Sequence, residues 1–311
     1  MPFARPRILY VTDLAYRARG RRYCDEDIFL TSRLREEFDL ALCHPRDAAA
    51  LLDGFDAVVV RNSGPVREYK AAYDAFRERA AERGTRVYNQ LTGRADMLGK
   101  QYLLDLTAAG FPVIPTVDRA EDLHLLPVAD EYVVKPRLGA DSAGLRIVPT
   151  VDRAEDLHLL PVADEYVVKP RLGADSAGLR IVPAAGVPRA LGDAADLLVQ
   201  PRVDFAYEVS FYFVDHDYQY ALHAPHPDRR WQLEPYDATV ADLDFARRFI
   251  EWNGVDHGIQ RVDACRAPGG ELLLVELEDL NPYLSLDALD EPVRDAFVTA
   301  LRTALRRLLA T

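Results

Sequence analysis

The chain has 311 residues, 49% of them hydrophobic, and a formal net charge of −12. That much apolar sequence can bury a large core in two or three subdomains, and the acidic balance excludes a general nucleic-acid binder, which needs a basic face to displace counterions from phosphates. Cys24, Cys43 and Cys265 are too scattered for a disulfide framework or a paired-ligand zinc site, and no run reaches the ~18 apolar residues of a membrane span, so a soluble protein of the reducing cytoplasm is expected, with neither membrane nor nucleic acid as partner.

In chain order, "RILYVTDL" predicts a strand and "DIFLTSRLREEF" a helix with apolar residues at helical spacing. "FDLALCHP" and "DAVVVRNSGP" are two further apolar runs stopped by Pro or Gly, with the helical "RDAAALLDGF" between them. "EYKAAYDAFRERAAERG" predicts a helix with a glycine stop, leading to the strand "TRVYNQ". Continuous apolar strands alternating with helices indicate a mostly parallel sheet covered on both faces, so residues 1–95 are expected to form an N-terminal α/β domain.

A second region, 96–200, opens with the helix "ADMLGKQYLLDLTAAG", closed by Gly110, and a short strand "FPVIPT" flanked by prolines. The 34 residues from Thr116 to Pro149 then recur letter for letter from Thr150 to Pro183. Solenoids bury a core by stacking three or more diverged units, so an identical pair is a recent or engineered tandem duplication of one module and did not build the fold. Within the module, "EYVVKPRLGADSAGLRIV" reads as strand, small-residue loop, strand, and predicts an antiparallel hairpin. The helical "VPRALGDAADL" and the strand "LLVQP" follow. Residues 201–311 then carry the strands "YEVSFYFVDHD" and "YQYALHAPH", the helix "DLDFARRFIEWNG", a hairpin of "GIQRVDACR" and "GELLLVELEDL" turned at Gly269-Gly270, and a last amphipathic helix.

Two of these pieces carry chemistry. The hairpin tip "GADSAG" lets backbone N–H groups approach phosphate oxygens, and Lys135 or Lys169 at the end of the first strand adds a point charge. In "LLLVELE" the two glutamates alternate, so Glu276 and Glu278 share one face of a strand, and Asp263 on the partner strand can join them. Three convergent carboxylates without His or Cys make a hard oxygen site suited to magnesium. His216, His223, His226 and His257 fall in no metal-ligand spacing, and there is no Ser-His-Asp or Cys-His arrangement for nucleophilic catalysis. Asn62 and Ser63 follow the strand "AVVV", where α/β sheets bind ligands at the carboxyl ends of their strands.

The approach "VYNQLTGRADMLGK" with Lys100, the lysine hairpin, "LLVQPRV", "YEVSFYF" and the pair "RVD" and "VELEDLN" stand in an order that resembles the ATP-grasp superfamily, most closely its glutathione-synthetase and ribosomal-modification ligase branches, over roughly residues 86–290. The resemblance implies a two-lobed ATP-grasp region, α+β in character, of which 96–200 is the small lobe with both copies of the module and 201–311 the large lobe with the metal site. Lys100 and Lys135 or Lys169 would hold the α- and β-phosphates, with Gly173 and Gly178 in the flap. Backbone groups from Gln200 to Val203 would meet the adenine edge, and Glu208 the ribose hydroxyls.

Arg261 matches the arginine that steadies the charged transition state, and Arg229 or Arg230 would contact the γ-phosphate or a substrate carboxylate. The metal ligands would be Asp263, Glu276 and either Glu278 or Asn281, because Glu278 stands where the family has Asn. The implied cofactors are ATP and two magnesium ions, for which manganese can substitute. The implied partners are a small carboxylic acid and an amine, joined in an amide through an acyl phosphate. The alternative is an ATP-binding protein of this fold whose ligase activity the duplication has impaired. One site has room for one hairpin; the separation of Lys169 from Gln200 favours the second copy, leaving the first to loop out, to add to a sheet edge, or to swap into a homodimer.

Overall fold

The computed structural model describes residues 4–18, 21–61, 69–95, 99–118, 125–126, 132–136, 146–148, 166–168, 180–182, 197–201, 203–226, 229 and 232–311, with backbone only between residues 132 and 201. The fold is mixed: a parallel sheet and a separate antiparallel sheet, each with helices packed on it. Two compact units are present. The first comprises 1–97, 206–266 and 275–311, and the second comprises 98–205 and 267–274.

In the first unit, β1 (Arg7–Val11), β4 (Asp39–Cys43), β5 (Ala57–Val60) and β6 (Val87–Tyr88) form a four-stranded parallel sheet in the order β4-β1-β5-β6. A short ribbon of β2 (Arg17–Ala18) and β3 (Arg21–Arg22) precedes α1 (Cys24–Leu34). Helices α2 (Ala48–Leu51) and α3 (Lys70–Arg83) complete the crossovers, and Gly84 ends α3 at φ 60°, a left-handed backbone that costs glycine nothing.

A five-stranded antiparallel sheet has the order β14-β13-β12-β15-β16; β12 (Tyr207–Val214), β13 (Asp217–Ala224), β14 (Glu234–Pro235) and β15 (Ile259–Arg266) belong to this unit, as does β16 (Leu272–Glu278) from Val275 on. Gly270, at φ 93°, turns β15 into β16. Helix α5 (Val240–Asn253) starts on a capping box, with Thr239 accepting from the Asp242 N–H and Asp242 accepting from the Thr239 N–H.

One core joins both sheets. Ile8, Tyr10 and Val59 of the parallel sheet pack with Tyr212, Leu222 and Ile259 of the antiparallel one, and Phe297, Leu301, Leu305 and Leu308 of the final helix α6 (Glu291–Ala310) close over them. The spacing of those four residues is the helical stripe expected of a core-facing helix, and each such buried side chain contributes about 1.5–3 kcal/mol. Asn89, at φ 59°, ties the sheets by hydrogen bonds: its amide donates to the carbonyls of Val60 (2.7 Å) and Leu280 (3.1 Å) and accepts from the Ile259 N–H (2.7 Å).

In the second unit, α4 (Gln101–Ala108) leads to a segment that makes a single parallel bridge, Val113 to Leu274, where the sequence predicts a strand. Pro112 and Pro115 flank the bridge and have no N–H to extend a ladder. The first copy of the module gives β7 (Tyr132–Pro136) and β8 (Arg146–Val148), and the second gives β9 (Tyr166–Val168) and β10 (Arg180–Val182). Each copy forms its antiparallel hairpin. Strand β11 (Leu197–Pro201) pairs with β7, in the order β11-β7-β8, while β9 and β10 stand as a sheet of two.

The expectation that the second copy docks is therefore corrected: the first copy does. The two copies are identical, so side chains cannot choose between them, and whichever docks, the other is looped out, so closure entropy nearly cancels. The lysine-to-hinge separation carried no physical preference. The helix expected at "VPRALGDAADL" lies outside the described residues. Val134 pairs with both Val199 and Arg146, whereas its equivalent Val168 pairs, among the described residues, with Arg180 alone. Val134→Pro should lower the thermal midpoint by the equivalent of about 1–3 kcal/mol for a broken ladder bond and its orphaned partner, and Val168→Pro much less; equal losses in two melting curves would mean that the copies exchange places on β11.

Candidate active site

The period of two along β15 and β16 sets the site. Arg261 and Asp263 alternate on one face of β15, opposite Tyr212 and Ser210 of β12, and Glu276 and Glu278 alternate on β16. Asp263, Glu276 and Glu278 each offer a carboxylate oxygen, and these atoms all lie within 4.8 Å of one another. The guanidinium of Arg261 sits among them. Its Nη2 donates to Asp263 Oδ2 (2.9 Å) and stands 2.8 Å from Glu278 Oε1, its Nε also donates to Asp263 Oδ2 (3.1 Å), and its Nη1 donates to the Tyr283 carbonyl (2.9 Å). Burial opposes its charge, but Asp263 and Glu278 more than offset that and hold the guanidinium protonated well above its usual range.

Whether these residues fit a divalent cation is decided by Asp263: its Oδ1 is buried without a hydrogen-bond partner. An orphaned carboxylate oxygen beside two more carboxylates is costly unless a cation takes it. The donor set is all oxygen, which suits magnesium. Glu278 belongs to this cluster; Asn281 follows β16 in the segment whose Pro282 and Tyr283 carbonyls accept from Arg61 and Arg261.

Of the other residues singled out above, Glu208 lies on the same strand face as Ser210, which is opposite Asp263. Val203 is partly buried after the end of β11. Lys100 occupies the N-cap position of α4 in the second unit and is buried. Gln200 and Lys135 lie on the paired strands β11 and β7, where only the backbone is described, in register with Val133 and Leu198. Arg229 is exposed. Lys169, Gly173, Gly178, Arg230, Asn62 and Ser63 lie outside the described residues.

Sequence reasoning missed a second buried network. Arg61, 4% exposed at the end of β5, donates from Nε to Asp27 Oδ1 (3.1 Å) and from Nη1 to the Pro282 carbonyl (2.7 Å). Asp27 also accepts from the hydroxyls of Tyr10 (2.9 Å) and Thr12 (2.6 Å). Glu26, 7% exposed, accepts from the N–H groups of Leu284 (2.8 Å) and Leu286 (3.0 Å). Together these bonds fix the segment after β16 that holds the Tyr283 carbonyl. The available signal was the lone arginine directly after the apolar run "AVVV".

Burial pushes the Glu26 carboxyl up to about 7, against the pull of Arg61 and the two N–H donors. Unfolded, it ionises near its ordinary 4.5. Folding therefore takes up a proton between those values, and stability present below the lower one is lost as pH rises through the higher. Wild-type stability should fall relative to Glu26→Gln by up to roughly 3 kcal/mol across that window, measured by urea unfolding at its two ends; parallel profiles would refute the shift. For Arg261→Met we expect a lower thermal midpoint in metal-free buffer, because three carboxylates lose their counter-charge, and recovery on adding magnesium. A magnesium-independent midpoint would show that no cation enters the cluster.

No family model matches this chain, and no curated protein does. Solved structures do. D-cycloserine synthetase DcsG is 23% identical over 97% of this chain and 99% of its own, with a TM-score of 0.65. The ATP-grasp ligase PsnB, solved with its precursor peptide PsnA2 and AMPPNP, is 17% identical over 94% of this chain and 97% of its own, with a TM-score of 0.59. D-alanine–D-alanine ligase from Bacillus anthracis, solved with ATP, is 12% identical over 98% and 97%, also at 0.59. At these identities the likeness establishes the fold, and the fold is that of the ATP-grasp ligases.

Proposed function

We propose that this protein is an ATP- and magnesium-dependent ligase that joins a small carboxylic acid to an amine. The observation that carries the reading is the cluster of Asp263, Glu276 and Glu278, within 4.8 Å of one another and with Arg261 bonded to Asp263 and Glu278, on a fold shared with the ligase PsnB and D-alanine–D-alanine ligase. In the proposed reaction the acid's carboxylate takes the γ-phosphoryl group of ATP, releasing ADP. The amine then attacks the acyl phosphate, the amide bond forms, and phosphate and a proton leave.

Asp263, Glu276 and Glu278, with Asn281 as a further candidate, would hold magnesium. When bound, the metal offsets charge on the phosphates. Arg261 is proposed to stabilise negative charge that develops beside it, and its bond to the Tyr283 carbonyl supports the guanidinium in one direction. Lys100 and the lysine of the docked copy, Lys135, are proposed to contact phosphates, with Lys169, Gly173 and Gly178 as the spare set. Backbone groups from Gln200 to Val203 would meet adenine, Glu208 the ribose, and Arg230 the substrate. No side-chain nucleophile is needed, since phosphoryl transfer is carried by positioning and charge.

A nucleotide-binding protein without turnover is the second reading, and the placement of β9 and β10 in the chain between β8 and β11 favours it. Calorimetric titration of magnesium-ATP into the full chain, followed by an ADP-release screen over acids and amines, separates the two. Binding that Asp263→Asn weakens at least tenfold, with acid-dependent ADP release, is expected. Binding without release would leave the second reading, and no binding at all would overturn both.

A further inference from the structure

A cavity of about 610 Å³ opens within the first unit, of a size that holds a small organic ligand. Arg17 and Arg22 of the β2–β3 ribbon, Asp25, Glu26 and Phe29 of α1, and Arg294 of α6 line one part of it. Tyr283, Leu286 and Asp287 line the rest. Tyr283 connects it to the site above, since its carbonyl accepts from Arg261 while its ring stands 4.8 Å from that of Tyr23.

Some of these charges already satisfy one another. Arg22 and Asp25 form an ion pair at 2.6 Å, and both oxygens of Glu26 accept backbone N–H groups. Others do not. Arg17 makes no ion pair or side-chain hydrogen bond among the described residues. Arg294 lies over the Phe29 ring at 5.5 Å, and its Nε is buried without an acceptor. Asp287 is exposed and has no cationic partner among the described residues. The lining thus holds three arginines and three carboxylates, and Arg17, Arg294 and Asp287 are the three without an ionic partner among the described residues, between walls of Phe29, Tyr283 and Leu286. Two guanidinium groups without an ionic partner can each take an anionic group of a ligand.

We propose that this cavity binds one substrate of the ligase, and that this substrate is an amino-dicarboxylic acid of the glutamate or aspartate type: two carboxylates for Arg17 and Arg294, one ammonium for Asp287, and methylene groups for the apolar walls. That it is a substrate rests on the ligase reading; the ligand class rests on the cavity alone. Glutamate and aspartate, in both L and D forms, are titrated into the full chain by calorimetry, with glutamine, glutarate and inorganic phosphate as comparisons and magnesium-ATP titrated into the same sample.

Glutamate or aspartate should bind at least tenfold more tightly than glutamine or glutarate. Arg17→Gln, at an exposed position that supports no packing, should weaken the acidic amino acid at least tenfold and leave magnesium-ATP binding unchanged; Arg294→Leu should do the same. Equal binding of glutamine, displacement by phosphate, or an unaffected Arg17→Gln protein would overturn the proposal. Magnesium-ATP binding without any amino-acid binding would overturn it while sparing the ligase reading, and amino-acid binding without ATP would leave the cavity's ligand class standing and remove the ligase.

Discussion

Everything at the proposed site depends on how the protein tolerates three carboxylates in one place. Two unit charges about 4 Å apart repel by about 4 kcal/mol at an effective dielectric constant near 20, so Asp263, Glu276 and Glu278 would drive β15 and β16 apart without a counter-charge. Arg261 supplies it from within the same strand, two residues from Asp263, and reaches both Asp263 and Glu278. A single guanidinium cannot match three carboxylates, and Asp263 Oδ1 is left over. That one oxygen is where a cation would be taken up.

The direction of Arg261 depends on the chain beyond β16. Its Nη1 needs the Tyr283 carbonyl, and the segment carrying that carbonyl is held by Arg61 on Pro282 and by Glu26 on the N–H groups of Leu284 and Leu286. Asn89 fixes the same region from the other side, bridging β5, β15 and Leu280. Residues from the first hundred positions thus set the geometry of chemistry placed near residue 270. These polar groups are buried, so each is specific: removing one partner leaves the other unsatisfied at about 1–3 kcal/mol.

What was legible in the sequence follows from the range of the physics that wrote it. Alternation in "LLLVELE" put Glu276 and Glu278 on one face, and the hairpin turn at Gly269-Gly270 brought Asp263 beside them, because strand periodicity and turn chemistry are local. The parallel sheet, α3 with its glycine stop and the amphipathic α6 were readable for the same reason. Glu26, Asp27 and Arg61 were not, since their partners lie up to 260 residues away and nothing in their neighbours names those partners. The choice between the two copies of the module was illegible in principle. Identical residues make identical contacts, and only the connecting chain distinguishes them.

The cavity beside Tyr283 shows how a strongly acidic protein can still collect an anion. Its arginines without an ionic partner come from a two-strand ribbon and from α6, elements distant in sequence. Arg22 is neutralised by Asp25, three residues on, as local spacing would dictate. Arg17 and Arg294 have no such neighbour, and a guanidinium stacked on Phe29 keeps its charge while losing water on one side. Tyr283 lines the cavity and gives its carbonyl to Arg261, so one residue belongs both to the cavity wall and to the support of the arginine at the carboxylate cluster.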